Sequence, residues 1–302
     1  MKIAILGLGH VGSTLAYTLV LKGLGDEILL WNKRPEVARG EALDLEHCLS
    51  FTPKNQVLTA VENLGGIRDA DLIVITVSTP WKPEYKVRTD LVRPNAEILQ
   101  TIVPEIVKTN PNAVLVILTN PVDVMTELVW RLSGWNYKRV IGMGTLLDSA
   151  RLRSELSREL SIHPSDIRAY VLGEHGETQF PFLSSAQAGG EKLSEESGAR
   201  RLQEKARSLG HLIISGKGYT NFGVSAATAL LIETIVQEQN RTMPVSVHLE
   251  NWNGVSGVAL SVPAVIGRGG VVRLLESKLD PREQADLEIS AKAVHEAGKM
   301  IF

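Results

Sequence analysis

Two stretches hold side chains whose types and spacing could do acid–base chemistry: GTLLDSARLR at 144–153 and LGEHGETQF at 172–180. They supply Asp148, Arg151 and His175. An Asp–His pair is a general acid/base unit, because the carboxylate fixes the imidazole tautomer and stabilises its protonated form. An arginine nearby can clamp a carboxylate with two parallel hydrogen bonds. Asp148 and Arg151 are three apart in a helical pattern, so they can share a face. Spacing alone does not bring His175 to them, and a surface histidine beside an ordinary ion pair is the plain alternative.

The elements that must position these groups follow from the hydrophobic pattern. KIAIL, EILLW, DLIVITV, AVLVILT and RVIG are short runs rich in Ile, Val and Leu, and they fit strands buried on both faces. Helical patterns lie between them: HVGSTLAYTLVLK, EVARGEALDLEHCL, LVRPNAEILQTIVPEIVK and VDVMTELVWRLS. Strict alternation of strand and helix implies a parallel, doubly wound sheet. Gly7, Gly9 and Gly12 form G-x-G-x-x-G where the first strand turns into the first helix. That spacing gives a tight turn, a backbone that a pyrophosphate can approach, and a helix packed close to its strand, with free N–H groups facing the phosphates. The expected fold class is therefore α/β, a Rossmann-type sheet over residues 1–142. An α+β substrate domain over 143–302 follows, with the boundary near Ile141–Gly142. In that second half helical patterns dominate and strand candidates cluster late, at VSVHLE and GVALSVP. Gly189-Gly190-Glu191-Lys192 reads as a plain surface turn.

Composition narrows the partners. The formal net charge is -2, so no global field favours nucleic acid or an anionic membrane. No stretch reaches the length of a membrane span, and the apolar run near the start is short and broken by glycines, unlike a signal peptide. Cys48 is the only cysteine, which makes an intramolecular disulfide impossible. A cytoplasmic protein with no metal centre is expected.

Taken together, GLGHVG (7–12), GEALDLEH (40–47), LTNPVDV (118–124), GTLLDSAR (144–151), LGEHGETQF (172–180), GKGYTNFG (216–223) and PAVIGRGGV (263–271) resemble the lactate/malate dehydrogenase family over essentially the whole chain. The resemblance implies an oxidoreductase that moves hydride between a nicotinamide dinucleotide and a 2-oxo or 2-hydroxy acid. It implies that His175 is the proton donor and acceptor, Asp148 its carboxylate partner, and Arg151 the clamp on the substrate carboxylate. Asn120 would help position substrate beside the nicotinamide. Gly7, Gly9, His10, Val11, Gly12, Thr76, Leu118 and Asn120 fall at cofactor-binding positions. TPWKPEYKVRTD at 79–90 lies where the family has a mobile loop, and Arg88 matches its carbonyl-polarising arginine. The family is generally oligomeric, and a homotetramer is expected, with a homodimer as the alternative. The helices GEALDLEHCL and GVSAATALLIETIV are apolar enough to pack against a partner.

Departures from the family pattern refine the substrate and cofactor. Trp81 falls at the position that sets substrate choice, where resembling malate enzymes place Arg and lactate enzymes usually Gln. Trp cannot pair a second carboxylate, and an unpaired carboxylate in a closed site is expensive. A 2-oxo acid with an apolar side chain, lactate-like or hydroxyisocaproate-like, is expected over oxaloacetate, although Lys82 and Lys86 lie nearby. Gly210 and Thr220 fall on the pocket wall, and Gly210 resembles the roomier hydroxyisocaproate-type enzymes. Arg153 and Arg168 match an intersubunit anion site of some bacterial relatives, with solvated interface charges as the favoured reading. At the end of the second strand, WNKRPE carries Asn32, Lys33 and Arg34 where resembling enzymes carry Asp. Like charges about 4 Å apart at an effective dielectric near 20 repel by about 4 kcal/mol. Asn32 removes that repulsion of a ribose 2′-phosphate and the two cations would attract it, so NADP or dual use is expected over strict NAD. Malate dehydrogenase, a glycosidase-like hydrolase and a dinucleotide sensor without chemistry are the other readings.

Overall fold

The computed structural model describes residues 1–80, 88–193 and 198–302, except for the side chains of Arg88 and Thr89. Trp81, Lys82 and Lys86 lie outside the described residues. Arg88 is placed by its main chain alone, at the start of a 3-10 turn, Arg88–Leu91.

The first half alternates as the pattern requires. β1 (Lys2–Leu6) leads to α1 (His10–Leu21), β2 (Glu27–Trp31), α2 (Pro35–Cys48), β3 (Val57–Val61) and β4 (Leu72–Ile75). Then come α3 (Val92–Thr109), β5 (Val114–Ile117), α4 (Val122–Ser133) and β6 (Val140–Gly142). These six strands pair in parallel in the order β3-β2-β1-β4-β5-β6. Strand order reverses between β1 and β4, and the crevice beyond their carboxyl ends is where such sheets bind ligands. β4, β5 and β6 are buried at every residue, as strands covered by helices on both faces must be.

The second half contains α5 (Leu146–Leu160), β7 (Ile167–Leu172), β8 (Phe180–Ala188), β9 (Glu191–Lys192), α6 (Ala199–Lys217) and α7 (Phe222–Val236). It ends with β10 (Arg241–Leu249), β11 (Val258–Gly267), β12 (Gly270–Leu274) and α8 (Pro281–Gly298). Here the structure goes beyond the sequence reading in four places. β3, β7, β8 and β12 were not anticipated, and β7–β8–β9 make a separate antiparallel sheet. Gly189 and Gly190 do form a turn at positive φ, but Glu191 and Lys192 pair back with Gln187 and Ala188 as a strand. β10, β11 and β12 do not form a sheet of their own. They extend the parallel sheet past β6, antiparallel, giving one nine-stranded sheet that crosses from one half of the chain to the other. Finally, α7 is not a free apolar face: it buries Leu231, Ile232 and Ile235, and Ser225 donates to the Val11 carbonyl at 3.1 Å. Exposed apolar residues include Leu43 on α2, Leu212 and Ile213 on α6, and Phe222 at the start of α7.

The join between halves is close-packed. Gly142 pairs with Ser246, and a Cβ on Gly142 would fall 2.2 Å from Thr126 Oγ1. Among the described residues no helix is long and apolar enough to cross a membrane.

Candidate active site

The glycine turn sits at the β1 end of the crevice. Gly7 takes φ +101°, a region open to glycine, and its N–H donates to the Trp31 carbonyl at 2.9 Å. A Cβ on Gly12 would come within 1.9 Å of the Gly7 carbonyl oxygen, so the helix can approach the strand only with glycine there. A Cβ on Gly9 would meet nothing, which leaves its backbone open to a ligand. Helix α1 starts at His10 with no side-chain cap and no acid in its first turn. Its N-terminal N–H groups and dipole are thus left for an anion. Thr76 lines the crevice, but its hydroxyl is committed to the Gly7 carbonyl at 2.6 Å, so it braces the turn. Replacing Gly12 by Ala is expected to weaken dinucleotide binding and to lower Tm, because backbone must shift to admit the methyl; titration calorimetry and thermal denaturation read the two effects.

The group of Asp148, Arg151 and His175 is assembled by three elements. Asp148 lies in the first turn of α5, where the helix dipole favours a carboxylate. His175 is the third residue after β7, past Gly173 at φ +86°. Its Nδ1 is 2.5 Å from Asp148 Oδ2, and Arg151 Nη1 donates to Asp148 Oδ1 at 3.1 Å. The spacing within α5 explains the Asp148–Arg151 pair. The meeting with His175 depends on hydroxyls that tie α5 to β7. Thr145 Oγ1 donates to the Val171 carbonyl at 2.5 Å, and the Val171 N–H donates to Ser149 Oγ at 2.8 Å. Gly173 and Ser261 exchange two main-chain hydrogen bonds at 3.0 Å, which fixes the end of β7 against β11.

His175 and Arg151 open into a cavity of about 260 Å³ that also reaches the glycine turn. Val11, Thr76, Leu118, Asn120, Gly210 and Thr220 line it, so eight of the residues singled out from sequence converge on one space. A Cβ on Gly210 would lie 3.5 Å from Arg151 Nη1, so this glycine stands against the guanidinium. Ser78, Leu147, Ile214 and Val224 complete the lining and were not singled out. Among the described residues Arg151 is the one cation in that lining.

Asn120 is held by its neighbours and left with work to do. Its peptide bond to Pro121 is cis, and its carbonyl accepts from Asn95 Nδ2 at 2.7 Å. Its buried Oδ1 has no partner among the described residues. An orphaned acceptor in the crevice, together with the open backbone at Gly9 and the uncapped helix, is what a nicotinamide dinucleotide would occupy. His10 stacks on Tyr219 with ring centroids 3.6 Å apart, which ties the glycine turn to the segment that carries Thr220. Asn32, Lys33 and Arg34 lie at the end of β2, outside this cavity. Asn32 Oδ1 accepts from the Arg34 N–H at 3.0 Å, and both cations are exposed.

Asp123 was missed. It sits in the first turn of α4, fully buried, and its Oδ2 accepts from the His175 main-chain N–H at 2.7 Å. Burial pushes its carboxyl up to about 7, against the lowering effect of the Ser246 hydroxyl and the His175 N–H. A short apolar run interrupted by one acid, VDVM, was the available signal.

A glycine-turn crevice that shares its cavity with a His–Asp pair and an arginine fits an oxidoreductase of the 2-hydroxy-acid type. Comparison with known proteins agrees. The family described as lactate/malate dehydrogenase, NAD binding domain, matches residues 1–142, and its alpha/beta C-terminal domain matches 145–301. The L-lactate dehydrogenase of Latilactobacillus sakei subsp. sakei is 37% identical over 300 residues, covering 96% of this chain and 91% of the relative. L-lactate dehydrogenase 1 of Lactobacillus acidophilus is 34% identical over 309 residues, covering 100% and 95%. Among solved structures, the minor L-lactate dehydrogenase of Enterococcus mundtii superposes with a TM-score of 0.94 at 30% identity, covering 100% of this chain and 98% of that one. A lactate dehydrogenase from a Medee basin deep-sea metagenome library gives 0.92 at 34% identity, covering 98% and 97%. The chain belongs to the lactate/malate dehydrogenase family.

Proposed function

We propose that this chain interconverts a 2-oxo monocarboxylic acid and its L-2-hydroxy acid, lactate or a relative with a larger apolar side chain. The observation that carries the reading is the Asp148–His175 contact opening with Arg151 into the same cavity as the glycine turn. The bound nicotinamide supplies hydride in one direction and accepts it in the other. Asp148 holds Nδ1–H, so Nε2 is the nitrogen that gives its proton to the carbonyl oxygen, and the imidazolium so consumed is the form Asp148 stabilises. Arg151 orients the carboxylate with two parallel hydrogen bonds. The lining by Val11, Leu118, Leu147, Ile214 and Val224 supports an apolar substrate side chain. Trp81 and Arg88 join this reading from the family pattern alone: Trp81 would set the choice of substrate side chain and Arg88 would polarise the carbonyl.

The cofactor is a nicotinamide dinucleotide, with NADP or both forms used. The exposed Lys33 and Arg34 support this, since neither has an ion-pair partner among the described residues, and Asn32 brings no charge of its own. A panel of pyruvate, 2-oxoisocaproate and oxaloacetate run with NADH and NADPH tests both parts. Turnover of the first two well above oxaloacetate is expected, with kcat/KM for NADPH at least equal to that for NADH. Lys33→Ala with Arg34→Ala should lower the NADPH value by at least about tenfold and leave NADH unaffected, each lost charge contact being worth about 1.5–3 kcal/mol. Preference for oxaloacetate, no turnover at all, or an unchanged ratio in the double variant would each sink its part. The subunit works in the cytoplasm as a homotetramer, or else a homodimer, and exposed Leu43, Leu212, Ile213 and Phe222 are the apolar surface that supports association.

A further inference from the structure

His175 has two carboxylates, one on its ring and one on its main chain. Asp123 meets the main chain from below, at 2.7 Å, and only 2% of the residue is exposed. Its second oxygen, Oδ1, has no hydrogen-bond partner among the described residues. The fully buried Ser246 of β10 lies beside it: its hydroxyl is outside hydrogen-bonding geometry there, yet close enough to favour the ionised carboxylate. This is an expensive arrangement for a merely structural acceptor. An amide would accept the same N–H without bringing an ionisable group into the core, and a buried carboxylate with an unfilled oxygen costs several times a lost hydrogen bond.

The charges around it point to a reason. Among the described residues the charged groups that act on Asp123 are His175, which favours its ionised form, and Glu174, which opposes it. One turn along α4, Glu127 is already paired with His248 Nδ1 at 2.7 Å and with Arg131 at 2.9 Å. On the far side of His175, Asp148 is engaged by the ring and by Arg151. Asp123 is thus the carboxyl whose charge is free to follow that of the histidine, and two groups so coupled titrate as a pair. Burial places its titration near neutrality.

We propose that Asp123 is a positioning residue for His175: it holds the histidine's main chain and, when ionised, joins Asp148 in favouring the imidazolium. This rests on His175 being the acid–base residue. Reduction of a 2-oxo acid needs the imidazolium, so ionised Asp123 carries reduction to higher pH. Asp123→Asn keeps an oxygen to accept the N–H and removes the charge. The alkaline fall of kcat/KM for reduction, and the acid limb for oxidation, are both expected to move down by about half a pH unit or more.

The test has an arm that needs no turnover. ¹⁵N-histidine NMR, with His175→Asn identifying the resonance, follows the His175 ring through pH in wild type and Asp123→Asn. Its midpoint should fall in the variant. Ser246→Ala, a milder change, strips a group that favours the ionised carboxylate and should lower the midpoint in the same direction by less. A midpoint unchanged or raised in either variant overturns the proposal. A wild type that turns over no 2-oxo acid but shows the expected midpoints would overturn the proposed function and leave this coupling standing.

Discussion

Substitution of His175 by Asn is expected to lower kcat for 2-oxo acid reduction by about 10²–10⁴-fold, the range for loss of a positioned general acid. Asn fits the space, and the glycine turn is untouched, so the KM for the dinucleotide should hold. Steady-state absorbance assays at saturating dinucleotide read the first quantity, and dinucleotide titration reads the second. Retention of more than a tenth of wild-type kcat would remove His175 from the chemistry. Asp148→Asn gives a graded companion result. An amide in place of the carboxylate at 2.5 Å can donate to Nδ1 and turn the imidazole to the wrong tautomer, besides removing the charge that stabilises imidazolium. The fold should survive, because α5 is held to β7 by Thr145 and Ser149 independently of Asp148.

Arg151→Lys should lower kcat/KM for the 2-oxo acid by about 10²–10³-fold, what breaking one well-desolvated charge pair costs at roughly 3–4 kcal/mol. Lysine keeps the charge and loses the fork, so the carboxylate is attracted without being oriented. The side chain of Arg151 is 14% exposed and its Nη1 already bonds Asp148, so a shorter cation also leaves the Asp148–His175 pair less well screened. Part of the loss should therefore appear in kcat. An uncharged ester of the same 2-oxo acid supplies the control. If Lys for Arg costs the ester as much as the acid, Arg151 does not bind the carboxylate.

The parts of this molecule legible from sequence are those with local causes. Buried parallel strands announce themselves as runs of Ile, Val and Leu, and the glycine turn follows from backbone sterics between neighbours in the chain. Asp148 and Arg151 share a helix, so their contact follows from helical spacing. What escaped has non-local causes. β7 buries every second residue through IRAYV before a buried Leu172, but its role depends on hydroxyls from α5 that no period reveals. β3 carries Val57 at 60% exposure and reads as loop beside the fully buried strands. Asp123 stands as a single acid in the apolar run VDVM, and only the fold places it under His175. The apolar face of α7 was legible as apolar, but not as spent on its own chain. The registration of Ser246 with Gly142 joins positions separated by residues 143–245, and nothing local encodes it.

That join bears on how the chain is made. A ribosome releases β6 well before β10, and until residues 241–249 emerge the parallel sheet ends in an open edge. An edge with unpaired N–H and C=O groups recruits other nascent chains. At three residues, Val140–Gly142 offers a foreign strand very little to grip, and its terminal glycine is crowded on the side where Thr126 stands. The shortness of β6, unremarkable in the finished molecule, is protection for the half-made one.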